Sequence, residues 1–352
     1  MLLQLLPTNT PESTPSIQRG SFHGAGGTLL GMQIVNVCLT IVTLGAYHFW
    51  AKAKIRRYLF SQTAFAGDRF AYHGTGKELY QGFLKAMVVF GIPYFSLGAA
   101  HSFLALPQSV DFLLQAMAAL VLFLYVPVAI VNARRYRCTR TSWRGIRFSF
   151  RGRTVDFLKL YFKGWLFTLL TLGTYYPYFQ TQRQAFLHSH TYFGNQQFRF
   201  TGHGSGLMVP FAVTLFTTYA VLCLCGLALA LQLTNAGLTL LLIPFVLGPV
   251  WVWLLGQKQK YYWDHTTFGE ARFSSSITWQ KLFGLYLGNL ALLLLTLGWA
   301  WPWVTVRNAR FFIGTLSLQG LTDLDRVLQD TTETSVTGEG LSNLLDTGFD
   351  MD

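Results

Sequence analysis

Seven long apolar runs constrain this chain more than anything else in it. They occupy 28–50, 79–100, 112–132, 156–179, 206–232, 237–256 and 279–304. A bilayer core takes about 20 apolar residues in helical form, because backbone polar groups must be paired where water does not reach them. Half of the residues are hydrophobic and only 12% are charged, about half the charge of a soluble domain. The chain therefore reads as an integral membrane protein. Met1 to Leu6 is short and no positive charge precedes it, unlike a cleaved signal. Pro7 to Gln18 is polar and rich in Pro, Ser and Thr, the composition of a disordered lead-in.

Three of the runs end alike. Thr43-Leu44-Gly45-Ala46-Tyr47-His48-Phe49-Trp50 returns as Thr171-Leu172-Gly173-Thr174-Tyr175-Tyr176-Pro177-Tyr178 and as Thr296-Leu297-Gly298-Trp299-Ala300-Trp301-Pro302-Trp303. Such a period points to a duplicated membrane module. Glycine, and the aromatic-Pro pair in two copies, break the helix there. Beyond the first break, Lys52, Lys54, Arg56 and Arg57 mix with Tyr58 and Phe60, which fits a helix at headgroup level.

A second motif recurs four times between the apolar helices: Thr63-x-Phe65 with Phe70, Thr141-x-Trp143 with Phe148, Thr191-x-Phe193 with Phe198, and Thr266-x-Phe268 with Phe273. Gly67, Gly145, Gly194 with Asn195, and Gly269 fall in the gaps, so each copy reads as a small β-hairpin with paired aromatics. A lone hairpin is marginal, so these are expected to pair together or lean on the membrane surface. The fold expected is an all-α polytopic membrane protein, an internally repeated helical bundle with short β-hairpins between helices. Its divisions are a disordered segment 1–18, membrane repeats 19–146 and 147–271, a partial repeat 272–318, and an acidic, disordered tail 319–352.

The architecture resembles the YjgN-like family of bacterial inner-membrane proteins, a domain of unknown function. Thr43-Leu44-Gly45 with Trp50-Ala51-Lys52, Arg56-Arg57-Tyr58-Leu59, and Tyr72-His73-Gly74-Thr75-Gly76-Lys77-Glu78-Leu79 carry the resemblance, which spans roughly 20 to 318. His48-Phe49 departs from the aromatic-Pro pair of that pattern. The resemblance implies a multi-pass inner-membrane location and no established activity.

Two topologies fit. If all seven runs cross, the second unit is inverted relative to the first, as in many transporters. If the Thr-Leu-Gly segments re-enter, only 79–100, 112–132, 206–232 and 237–256 cross. All four hairpins and 23 Lys and Arg then share one side, against none in 101–111 and 233–236. The second partition is cleaner and lets the hairpins form one sheet. Under either, the positive-inside rule places the C-terminus in the cytoplasm.

Candidate sites are few. Asn36 and Asn289 hold equivalent places in the first and third copies. With Gly45, Gly173 and Gly298 they form the candidate solute or packing site, where broken helices free backbone groups as ligands. Lys52, Lys54, Arg56, Arg57, Arg134, Arg135, Arg137 and Arg140 form the candidate surface for anionic lipid headgroups or a protein partner. Homo-oligomerisation is a further option for the partner; nucleic acid is not expected, since the hairpins are too short for an RNA-binding sheet. No nucleophile–base pair, metal spacing or phosphate loop occurs, so neither an enzyme nor a cofactor is expected. Cys38, Cys138, Cys223 and Cys225 read as small hydrophobes rather than a disulfide framework. Eight of the fifteen acids lie beyond residue 320, leaving a basic body. The first functional expectation is a channel- or transporter-like role for a small solute or lipid-derived molecule. The second is a non-transporting scaffold that binds anionic lipid or a protein through its basic face.

Overall fold

The structure, a computed structural model, describes residues 17–103, 107–232 and 234–320. The lead-in up to residue 16 and the acidic tail beyond 320 lie outside the described residues. Helices dominate, but their ends are tied together by strands. The strands are β1 (Ile17–Phe22), β2 (Thr63–Phe65), β3 (Asp68–Tyr72), β4 (Thr141–Trp143), β5 (Ile146–Phe150), β6 (Thr191–Phe193), β7 (Gln196–Phe200), β8 (Thr266–Phe268), β9 (Ala271–Ser275) and β10 (Leu316–Gln319). They close into one antiparallel barrel in sequence order, with β1 paired to both β2 and β10.

This overturns the all-α expectation. The four hairpins do pair together, one of the two arrangements expected: each pairs edge to edge with the next, because a three-residue strand left at an edge exposes unpaired backbone groups. The pairing puts aromatics opposite one another: Phe70 faces Trp143, Phe148 faces Phe193, and Phe198 faces Phe268. Closure needs β1 and β10, which lie at the two ends of the described chain. Neither carries the alternating aromatic pattern that marked the others.

Helical hairpins make the remaining connections between strands. Three are short: α1 (Gly26–Val42) with α2 (His48–Gln62), α6 (Thr154–Leu170) with α7 (Tyr176–Ser189), and α10 (Trp279–Leu295) with α11 (Trp301–Gly314). Two are long. One joins α3 (Gly76–Ala86), a π-helical turn (Met87–Gly91) and α4 (Ile92–Phe103) to α5 (Gln108–Thr139). The other joins a 3₁₀ turn (Gly204–Leu207) and α8 (Met208–Ala230) to α9 (Ala236–Asp264). The four long helical stretches, Gly76–Phe103, Gln108–Thr139, Gly204–Ala230 and Gly237–Asp264, are long and apolar enough to cross a membrane. At 1.5 Å per residue each reaches about 40 Å or more. The outgoing helices α1, α6 and α10 have 17 residues each, or roughly 26 Å. Both ends of every helical hairpin join the same barrel, which fits the partition that keeps the strand hairpins on one side rather than the one that alternates them.

The Thr-Leu-Gly turns explain how a short hairpin reverses. Leu44, Leu172 and Leu297 adopt left-handed φ near 50°, and Gly45, Gly173 and Gly298 follow at φ near 90°. In each, the glycine N–H reaches back to close the helix, to Thr40 O, Thr168 O and Leu293 O at 2.7, 2.7 and 2.8 Å, a Schellman end. The threonine serves both helices. Thr171 Oγ1 donates to Phe167 O at 2.7 Å and accepts from Tyr175 N at 3.0 Å; Thr43 and Thr296 repeat the pattern. The leucines point outward and are 97%, 82% and 90% exposed, as apolar tips directed at lipid would be.

Return helices lock onto the next outgoing helix through glycine. A side chain at Gly76, Gly204 or Gly26 would strike Trp50, Tyr178 or Trp303. The three aromatics that follow the turns thus join neighbouring hairpins around the ring.

Candidate functional site

The barrel is not a pipe. Phe70, Phe148, Phe198 and Phe273 stack in sequence around its interior, with centroids 6.3, 6.4 and 6.1 Å apart. Trp143, Phe193 and Phe268 form a second, buried layer with Phe65 against it. Offset rings at these distances attract one another as well as excluding water.

At the helix-side mouth of the barrel lies a cavity of about 410 Å³. Phe70, Phe148 and Phe198 form its floor, Phe60 and Trp263 part of its wall, and Arg134 and Arg137 its charged side. Thr141, Thr191 and Thr266, the first residues of their strands, ring the mouth. Their hydroxyls donate back to the preceding helix, to Arg137 O, Leu187 O and Tyr262 O, each at 2.7 Å, so their protons are committed.

The return helices bring further cations near Arg134 and Arg137. Lys52 and Arg56 are one turn apart on α2, and Arg134 and Arg137 one turn apart on α5. Burial lowers the Lys52 pKa, and the neighbouring charges of Arg56 and Arg137 lower it further. Arg137 is in turn within electrostatic reach of Arg134 and Arg56. Arg134 donates to Thr191 Oγ1 at 3.3 Å, but its Nε is buried without a hydrogen-bond partner. Elsewhere Lys258 on α9 lies over the Tyr262 ring at 5.9 Å, within electrostatic reach of Arg183 on α7, whose Nε is also buried and unpartnered.

Carboxylates are placed elsewhere. Among the described residues, Glu78 pairs with Arg140 at 2.9 Å and Asp68 pairs with Arg144. Asp111 pairs with His101 at the far ends of α4 and α5, and Asp264 accepts from Ser275 N at 2.9 Å. Asp156 sits in the first turn of α6, and Glu270 is exposed in the β8–β9 turn.

His188, in the cavity wall, is held neutral. Thr266 Oγ1 gives its proton to Tyr262 O, so His188 Nδ1 must donate to Thr266 Oγ1 at 3.2 Å. Nε2 then accepts from the Gln184 amide at 2.6 Å. Protonation would set two donors face to face; burial and the Arg134 charge push the pKa down to about 4.

The eight basic residues of the expected lipid or partner surface thus divide. Arg134 and Arg137 line the cavity, and Lys52 and Arg56 lie within electrostatic reach of Arg137. Arg57 and Arg135 instead clamp carbonyls, donating to Gly74 O at 3.5 Å and Gly152 O at 3.2 Å, and Arg140 is held by Glu78. Lys54 is exposed on α2. His188 was missed as a member of the site. Its place in the last helical turn before the strand-opening Thr191, close to that of Arg137 before Thr141, is the signal that could have found it.

The candidate solute residues are spread over the three short hairpins. Asn289 donates to Asn308 Oδ1 on α11 at 2.8 Å, a bond between helices. Asn36 is buried in α1 with both amide atoms unpartnered. Gly45, Gly173 and Gly298 sit in closed turns whose backbone groups are already bonded. Gly173 borders an apolar cleft of about 550 Å³ with Trp165, Phe211 and Trp251; Gly298 borders another of about 370 Å³ with Val37 and Trp299.

Comparison with known proteins agrees with the membrane architecture. The model of a bacterial family of unknown function, DUF898, matches residues 17–344. Proteins named inner membrane protein YjgN are similar: 35% identical over 130 residues in Escherichia coli O157:H7, 32% over 130 residues in E. coli K12, and 33% over 131 residues in Salmonella typhimurium LT2. Each match covers 37% of this chain and 30% of the relative. No solved structure matches. The chain belongs to the DUF898 family.

Proposed function

We propose that this DUF898 member is a non-transporting scaffold of the bacterial inner membrane, built from duplicated hairpin modules, whose barrel forms a basic platform on the cytoplasmic surface. One observation carries the reading: every helical hairpin starts and ends at a single barrel filled by two aromatic layers. That arrangement supports a fixed, one-sided platform more than a path that opens alternately to two sides. The barrel exterior adds Arg69, Arg199 and Arg272, all exposed on strands. Basic side chains this close to the bilayer attract anionic headgroups by roughly 1 kcal/mol each.

The partner class is anionic lipid, and no catalytic step is assigned. In nanodiscs, replacing a quarter of the phosphatidylcholine with phosphatidylglycerol is expected to raise the melting temperature of the wild type. The rise should shrink in a variant with Arg69, Arg199 and Arg272 changed to Gln. An equal rise in both, or none in either, would count against the platform. The transporter-like reading keeps one observation in its favour, the apolar clefts beside Gly173 and Gly298. Solute flux through reconstituted vesicles that disappears with Gly173→Leu would restore it.

A further inference from the structure

The cavity at the mouth of the barrel goes beyond surface contact with lipid, because its lining joins two guanidinium groups to an aromatic floor. Arg134 and Arg137 line it, Lys52 and Arg56 of α2 are within electrostatic reach of Arg137, and the ion-paired carboxylates Glu78 and Asp68 are engaged with Arg140 and Arg144. Like charges gathered in a partly buried place oppose folding, and the low polarity there magnifies the repulsion. Arrangements of this kind persist where the strain serves a ligand. The buried Arg134 Nε, which has no acceptor, says the same from the hydrogen-bonding side.

The remaining lining defines the ligand further. The ring threonines have given their protons to helix carbonyls, and neutral His188 donates to Thr266. Donors for an anion are therefore the guanidinium and ammonium groups. Guanidinium forks match the paired oxygens of phosphate better than a spherical halide. A volume near 410 Å³ is in the range of organic-ligand pockets and exceeds what a bare phosphate fills. The floor of stacked Phe70, Phe148 and Phe198 with Trp263 beside it offers apolar and stacking area for the rest of the molecule.

We infer that this vestibule is a binding site for an organic phosphate, its phosphoryl group held by Arg134 and Arg137, with Lys52 and Arg56 adding to the positive potential beside them, and its apolar or planar part laid on the phenylalanine floor. The chemistry is shared by a lipid headgroup and a soluble nucleotide, and the test separates them. It is independent of the exterior arginines, so failure of the platform leaves it standing and the reverse.

The full chain, in nanodiscs of phosphatidylcholine alone, would be melted with inorganic phosphate, with adenosine monophosphate, and after adding phosphatidylglycerol. A ligand that binds only the folded state raises the melting temperature in proportion to the logarithm of its concentration once the site fills. Adenosine monophosphate should shift the wild type further than phosphate does if the ligand is soluble; phosphatidylglycerol alone should do so if it is a headgroup. The adenosine monophosphate shift should vanish in Arg134→Gln/Arg137→Gln, weaken in Lys52→Gln and survive in Arg69→Gln; a phosphatidylglycerol shift should shrink in the vestibule variants by an amount separate from the loss in the exterior variant. Unliganded Lys52→Gln should melt at or above the wild-type temperature, since it removes repulsion; a purely structural lysine would make it melt lower. Absence of any shift in the wild type, or equal shifts in wild type and both vestibule variants, would overturn the inference.

Discussion

His188 shows how much one side chain can report about this fold. Its two ring nitrogens are committed to Thr266 and Gln184 in the neutral form, and its pKa falls from an ordinary 6.5 to about 4. Above pH 6.5 neither the folded nor the unfolded chain protonates it, so its contribution is fully present. As pH drops from 6.5 toward 4 the unfolded chain takes up a proton that the folded chain refuses, and stability is lost by roughly 3 kcal/mol over that window. His188→Gln should remove this component, flattening the pH dependence of the melting temperature between 6.5 and 4; an unchanged slope would show that His188 protonates freely. Gly164 tests packing at the same scale. A Cβ there would overlap the Phe179 ring, which is buried in the main aromatic cluster with Phe157 and Tyr161. Gly164→Ala should destabilise by about 1–3 kcal/mol, the usual cost of overpacking, measured by thermal unfolding in detergent.

At the scale of elements, the Thr-Leu-Gly turn is the unit that makes a re-entrant hairpin self-sufficient. Thr171→Val keeps the shape but leaves Tyr175 N–H without its acceptor. The expected loss is about 0.5–2 kcal/mol, as for a deleted helix cap, again read by unfolding in detergent; no loss would mean water or lipid headgroups replace the hydroxyl. The turn was legible in sequence as a helix break, but its chemistry was read backwards. Freed backbone groups seemed available for a solute, whereas the threonine and the reversed glycine satisfy them locally. The strand hairpins were legible too, since Thr-x-aromatic and a glycine turn are local signals. Their closure was not, because β1 and β10 meet across the whole described chain and carry no periodic aromatic pattern of their own. Phe22-His23-Gly24, an echo of Tyr72-His73-Gly74, was the available hint. In both places the ring at the strand end folds over the glycine. The basic residues were found as a group, yet only geometry separates Arg57 and Arg135, which clamp carbonyls, from Lys52, Arg56, Arg134 and Arg137. Spacing along a helix fixes a face, and which face meets the barrel axis depends on the closed sheet.

For the molecule as a whole, one architectural fact organises the rest. Among the described residues ten short strands form a ring, and five helical hairpins hang from it, two long enough to cross a bilayer and three shorter. Charge follows from this: the end of α4 and start of α5, and the end of α8 and start of α9, are the helix ends away from the ring, and 101–111 and 233–236 contain no Lys or Arg. The most direct test is a side assignment in intact cells. With Cys38, Cys138, Cys223 and Cys225 replaced, single cysteines would be placed at Asn195 and Glu270 in the strand turns and at Gln108 at the start of α5. A membrane-impermeant thiol reagent should label Gln108→Cys from outside, while Asn195→Cys and Glu270→Cys react only after the membrane is opened. Labelling of Asn195→Cys from the same side as Gln108→Cys, or of Asn195→Cys and Glu270→Cys from opposite sides, would contradict a barrel gathered on one face of the membrane.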